Sequence, residues 1–193
     1  MTRRLRISCS HANLLQPQPS MQSHFDTESI VKTKLIQPDG FQIDGCATAK
    51  HRIGHRHAQD AGTPLKHALE EFCSEVFGVC ERGGRVVGHH LDFDATLIAQ
   101  ELQYAGMLEM LPKWEACIKK GFCSMSPHVG GWIRSQAGDA IEYMGDRIPV
   151  RLSDAVATLI PDGTKLLIEH HDAGRDAAMH WLLYRELARR AAL

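Results

Sequence analysis

Nothing in this chain approaches the roughly 18 uninterrupted apolar residues of a membrane-spanning helix, so no segment of that kind is expected. It also has no excess of either charge. Lys and Arg number 22 against 23 Asp and Glu, a formal net charge of −1, so charge alone would not coat a duplex with it. An enzyme that grips one strand end is not excluded, because metal ions neutralise the phosphates there. Six cysteines (Cys9, Cys46, Cys73, Cys80, Cys117 and Cys123) include no CxxC pair, which disfavours zinc-ribbon and thioredoxin-type readings. Buried reduced thiols of an intracellular protein, cytoplasmic or nuclear, are the expectation. There is no internal repeat. The basic start, MTRRLRISCSHANLLQPQPSMQSH, lacks the apolar stretch of a secretory signal. Its Arg and Ser residues, with no acid before Asp26, suit an organelle-targeting leader or a frayed start.

What is present suits one domain. Residues 1–24 read as a disordered or irregular segment and 25–193 as a folded unit. The stretch SIVKTKLIQPDG begins as a β-branched strand and stops at the turn Pro38-Asp39-Gly40. TPLKHALEEFCSEVFGVC is helical, with Thr63 as its cap and Leu65, Leu69, Phe72, Val76 and Phe77 on its apolar face. RVVGHH reads as a strand, followed by a helix from about Asp94 to Tyr104, and GFCSMS as a second short strand. GGWIRSQAGDAIEYMGDRIPV reads as an irregular surface excursion. LSDAVATLI and DAGRDAAMHWLLYRELARRAAL are helices, the last with Ala177, Trp181, Tyr184 and Leu187 on its apolar side. Strands alternating with helices make an α/β layered domain.

Two polar clusters carry the chemistry. VVGHHLDFDATLIAQEL puts His89, His90, Asp92 and Asp94 where a strand hands over to a helix, the edge where α/β sheets bind ligands. IEHHDAGRDAAMH puts His171 five positions before Asp176 at the start of the last helix. Two carboxylates and an imidazole from distant segments suit hard divalent cations and proton transfer. Two ions can hold a scissile phosphate and stabilise both attacking and leaving oxygens.

These residues resemble the DEDDh (DnaQ-like) 3′–5′ exonuclease family, whose fold is ribonuclease-H-like: a mixed sheet flanked by helices. His89-His90-Leu91-Asp92-Phe93-Asp94 is similar to the family's second motif, His-Asn-x-x-Phe-Asp, with His90 in place of Asn. His171-Asp172-Ala173-Gly174-Arg175-Asp176 is similar to its third, His-x-Ala-x-x-Asp. The resemblance spans roughly residues 30–190. It implies that Asp94 and Asp176 bind two Mg²⁺ or Mn²⁺ ions, that His171 is the general base, and that His90 and Phe93 touch the substrate. It further implies hydrolysis of terminal phosphodiesters of DNA or RNA at a single-stranded 3′ end.

The family's first motif, Asp-x-Glu, is matched literally by Asp26 and Glu28 in FDTES. Only nine residues separate Glu28 from Pro38. At about 3.3 Å each they make one strand, not the two strands and turn the family places there. The fold would then lack its first strands, and the alternative function is a catalytically degenerate, nucleic-acid-binding module. Asp94 could instead cap its helix. His51, His55 and His57 in HRIGHRH offer a zinc box or a basic face near a nucleic-acid strand. Trp181 and Tyr184 could stack bases, against core packing as the simpler reading.

Overall fold

The computed structural model describes residues 32–137, 150–164 and 173–190. These form a mixed α/β arrangement that is mostly helical, with a parallel two-strand sheet. Two short helices, α1 (Gly45–His51) and α2 (His55–Ala61), precede α3 (Leu65–Glu81). Strand β1 (Val87–Gly88) leads into α4 (Leu91–Tyr104). A 3-10 turn (Leu108–Met110), α5 (Leu111–Lys119) and β2 (Phe122–Cys123) follow, then α6 (Pro127–Ala137), α7 (Leu152–Leu159) and α8 (Ala173–Arg189). β1 and β2 pair in parallel, Val87 opposite Phe122 and Gly88 opposite Cys123.

The sheet lies between two helical layers. On one side α3, α4 and α5 bury Leu69, Cys73, Phe77, Ile98, Leu102, Met107, Trp114 and Cys117 around one another, with Val86 at the edge. Leu69, Cys73 and Phe77 recur every fourth residue, which puts them on one helical face. Trp114 fills the centre, and its Nε1 donates to the Ala95 carbonyl of α4 at 3.0 Å. The burial of Cys73 and Cys117 pushes both thiols up to about 11. On the other side α6, α7 and α8 bury Val129, Ile133, Val150, Ala155, Leu159, Leu183 and Leu187, with Phe122 of β2 packed against them. Gly121 joins α5 to β2 at a place no side chain would fit. A Cβ there would strike the Leu91 side chain and lie 2.9 Å from the Ile118 carbonyl oxygen.

Several expectations change on this frame. The described part of the first strand, from residue 32, forms isolated bridge positions at Thr33 and Ile36, the latter with Thr63. Gln37 N–H donates to the Thr63 carbonyl and Thr63 N–H to that of Leu35. Lys32 and Lys34 reach Glu75 and Glu71 of α3. Thr63 is thereby occupied as a bridge residue, and the N-cap of α3 is Pro64, with no side-chain cap. The turn at Gly40 stands, at φ +70°. The excursion expected from Gly130 onward is helical to Ala137, because Val129 and Ile133 lie one turn apart and both are buried. Residues 1–31 and 138–149 lie outside the described residues, as does the expected irregular N-terminal segment. The helix after β1 starts at Leu91, a turn earlier than expected.

Helix α8 is rotated from its expected face. It buries Gly174, Ala178, Met179, Leu182, Leu183 and Leu187. Leu183 and Leu187 join one core, while Ala178, Met179 and Leu182 meet Val156 and Ile160 of the α7 region in another. Gripped on two sides, the helix buries a broad arc that leaves Trp181 exposed and Tyr184 half-buried.

Candidate active site at the carboxyl end of the parallel pair

The junction after β1 is fixed by one imidazole. His89 is buried, and its Nε2 lies 2.6 Å from the Val150 carbonyl oxygen. A carbonyl only accepts, so Nε2 carries the proton and Nδ1 accepts from the Ser124 hydroxyl at 2.9 Å. Ser124 N–H in turn donates to the Gly88 carbonyl, and the Cys123 thiol to that of His89. These bonds tie β1, the residues after β2 and Val150 together. Burial lowers the His89 pKa, assisted by the charge of His90 and opposed by the Val150 carbonyl and Asp154. The expectation that His89 serves a structural role agrees with this placement.

The next residues turn outward. His90 is the N-cap of α4 by position, exposed, with no side-chain cap bond. Its ring stacks on Phe93, centroids 5.6 Å apart at 19°, and Phe93 is 48% exposed. Asp94 is one turn inside α4, so it is not the helix cap. It is half-buried, and burial raises its carboxyl pKa while the charge of His90 pulls the other way. Asp92 is exposed, as expected of a solvated turn residue.

Helix α8 supplies the other carboxylate. Asp176 lies in its first turn, half-buried, and His180 one turn further along the same face. The His180 ring is 6.1 Å from that of His89, and the Tyr184 ring 5.3 Å from that of Phe122. These two contacts fix direction. Phe122 is level with Val87, two residues before His89. Four helical residues advance about 6 Å and two strand residues about 6.6 Å, so α8 runs antiparallel to β1. Continuing one turn back from His180 carries the helix toward the carboxyl end of β1, the end from which α4 begins. Asp94 and Asp176 therefore both sit on elements that flank one end of the parallel pair.

Two further groups belong to this junction. Burial, with the neighbouring His89 charge second, pushes the His180 pKa down to about 4. Asp154, in the first turn of α7, has a buried Oδ2 without a hydrogen-bond partner, and its charge favours protonation of His89. Neither residue is singled out by the motifs. The spacing of His180 four residues after Asp176 is the signal that could have found it.

The remaining expected site residues distribute as follows. His171, Asp26 and Glu28 lie outside the described residues, as do Glu169, His170 and Asp172. The fit of a divalent ion therefore rests on Asp94 and Asp176. Asp94 is half-buried, burial disfavours its charge, and a carboxylate oxygen is the donor that a hard divalent cation prefers. No group of three or more His, Cys, Asp or Glu side chains that could hold a metal ion occurs among the described residues. In HRIGHRH, His51 Nδ1 accepts from Ile53 N–H at 3.1 Å and His55 Nδ1 from Ile43 N–H at 3.4 Å, while His57 is exposed. Two of the three rings are thus engaged by local backbone. Among the described residues no helix is long and apolar enough to cross a membrane.

No family model, no curated protein and no solved structure matches the chain.

Proposed function

We propose that this chain is a metal-dependent 3′–5′ exonuclease of the DEDDh type, built on a ribonuclease-H-like fold. The reading rests on the two motifs together with one observation. His180, one turn after Asp176 on α8, lies against His89 of the second-motif segment at the carboxyl end of β1, some 90 residues away in sequence, which supports this reading. That edge is where parallel α/β sheets bind ligands.

In this reading Asp94 and Asp176, with Asp26 and Glu28, would hold Mg²⁺ or Mn²⁺. Bound there, the ions would offset the charge of the scissile phosphate. Asp94 is suited to the task because its partial burial strengthens its attraction for a cation. His89, neutral and fixed by two hydrogen bonds, orients the turn carrying His90 and Asp94. His90 and Phe93 present a stacked, exposed pair beside Asp94, a surface for the terminal nucleotide. His171 takes the proton of the attacking water. The substrate is a single-stranded 3′ end of DNA or RNA. The degenerate-module alternative predicts strand retention that weakens with salt, without shortening.

The test is shortening of a 5′-labelled single strand in Mg²⁺ or Mn²⁺. Stepwise loss from the 3′ end is expected, and Asp176→Asn is expected to slow it by roughly a hundredfold or more. A parent protein that binds the strand and leaves it intact refutes the enzyme and supports the binding module.

A further inference from the structure

Helices α3 and α5 feed neighbouring strands of one direction: α3 leads into β1, α5 into β2, and the strands pair in parallel. The two helices therefore end on the same side of the sheet. Lys113 of α5 fixes their contact. Its Nζ lies 2.6 Å from Glu81 Oε1 and 4.8 Å from the centre of the Phe77 ring, both on α3. In its last turn each helix carries a cysteine, Cys80 on α3 and Cys117 on α5, and the two thiols are in hydrogen-bonding contact. The backbone at each is held by its helix end. The Cys80 carbonyl accepts from Gly83 N–H at 3.1 Å and that of Cys117 from Lys120 N–H at 3.2 Å. Cys117 is 4% exposed and Cys80 half-buried, so a reagent in water meets Cys80 first. Other cysteines are placed differently. Cys73 is fully buried two turns before Cys80, Cys123 donates to the His89 carbonyl, and Cys46 is exposed on α1.

We propose that Cys80 and Cys117 form a reversible disulfide, a redox-operated clamp between α3 and α5 that is closed by small-molecule disulfides. The Cys80 thiolate attacks one sulfur of such a molecule, and the other half leaves with the electron pair of the broken S–S bond. Cys117 then gives up its proton and attacks the Cys80 sulfur of the mixed disulfide, expelling the second half. Two protein thiols are oxidised, and one external disulfide is reduced to two thiols that take up the released protons. Burial holds Cys117 as a thiol at rest, while the charges of Lys113 and Lys120 favour the thiolate it must become. Between the two cysteines lie β1 and α4, so the bridge closes a loop that bears His90 and Asp94. The clamp does not depend on the exonuclease reading.

The experiment treats the folded full chain with oxidised glutathione. The reaction is quenched in acid, and the protein is unfolded, alkylated with N-ethylmaleimide and digested at Lys, Arg and Glu. Cleavage at Glu75 separates Cys80 from Cys73, so mass spectrometry assigns the bridge. A Cys80–Cys117 link is expected as the main disulfide within the chain, and dithiothreitol is expected to open it. A crosslink closing a loop of roughly 40 residues restricts the unfolded chain, so the thermal midpoint should rise by about 5 °C or more over the reduced protein. Cys80→Ser, at a half-buried position, should abolish both the link and the rise. Glutathione left on Cys80 with Cys117 alkylated overturns the clamp. So do links to Cys73 or Cys123 in equal yield, or a Cys80–Cys117 link that leaves the midpoint where it was. The link is mapped in the parent, so a variant that does not fold leaves the outcome decided.

Discussion

The layer around Trp114 and the junction around His89 differ in what they take out of water. In the first, Leu69, Phe77, Ile98, Leu102 and Trp114 close on one another, and the one polar atom of Trp114 finds a backbone carbonyl. In the second, two imidazoles, the Ser124 hydroxyl and one oxygen of Asp154 are buried or half-buried around His89. Apolar burial stabilises the fold directly, at roughly 25 cal/mol for each Å² removed from water. Burying titratable groups opposes folding unless they stay neutral and bonded. The comparison teaches that the helical layer supplies stability and that the junction spends some of it to hold side chains in place.

The largest expected effect breaks the first half of that comparison. Trp114→Ala removes a side chain that is 3% exposed from the centre of the α3–α4–α5 layer. It also frees the Ala95 carbonyl from the indole. Equilibrium denaturant unfolding is expected to register a loss of about 3–5 kcal/mol. If the layer is the source of stability, the acid dependence of unfolding should be unchanged in this variant. A loss below about 1 kcal/mol would mean that the layer tolerates collapse around the cavity and is not the main support.

The second effect isolates the junction by pH. His180 titrates near 4 in the fold and near 6.5 when unfolded, so the unfolded chain binds more protons between those values. Stability is therefore fully present above about pH 6.5 and falls as the pH drops toward 4. Expressed in full, the shift is worth roughly 3 kcal/mol, because each unit corresponds to about 1.4 kcal/mol. His89, also lowered by burial, adds to the same limb, and the Asp154 charge beside it works against that. Glu186, held down to about 2 by Arg189 and Arg190, loses its contribution in a lower window, from about 4.5 to 2. His180→Leu should flatten the limb between pH 6.5 and 4.5 and leave the lower one intact. Thermal melts across that range check it, and an unaltered limb would assign the acid sensitivity elsewhere.

What sequence alone reveals divides along the same line. The helix of residues 65–81, the strand–helix handover at Val87–Leu91, the short strand at Phe122 and the turn at Gly40 all follow from local periodicity and turn chemistry. Helix α6 is hidden because Gly130 and Gly131 lower its propensity, and burial of Val129 and Ile133 overrides that cost. The face of α8 is misjudged because Trp181 and Tyr184 read as core. The true seam is selected by two neighbours that no local pattern names. In the candidate site, Asp94 is visible through its motif. His180 and Asp154 are not, because their relation to His89 comes from the antiparallel passage of α8 past β1 and from the start of α7. Such register is a property of distant pairs, which periodicity within one segment does not encode.

The smallest expected change in stability sharpens the comparison most, because its sign is opposite to that of an ordinary core substitution. Burial raises the Asp94 carboxyl pKa above its usual value, so the folded state disfavours the charge. Between the ordinary and the raised value the folded chain binds more protons, and this residue's unfavourable contribution fades as the pH falls through that window. Asp94→Asn removes the charge and nearly keeps the shape. In EDTA at neutral pH it should leave the thermal midpoint unchanged or slightly higher, a gain below about 1 kcal/mol. On the proposed exonuclease reading, the same variant should cut Mg²⁺-dependent shortening of a single strand by roughly a hundredfold. If the proposed metal site is real, Mg²⁺ or Mn²⁺ should raise the parent's thermal midpoint, and this variant should lose that rise. A carboxylate that served only the fold would behave in the reverse way, with its amide less stable in EDTA and unaltered in its response to the ions. The two melts, with and without the ion, therefore separate a residue held for chemistry from one held for structure, whether or not hydrolysis is observed.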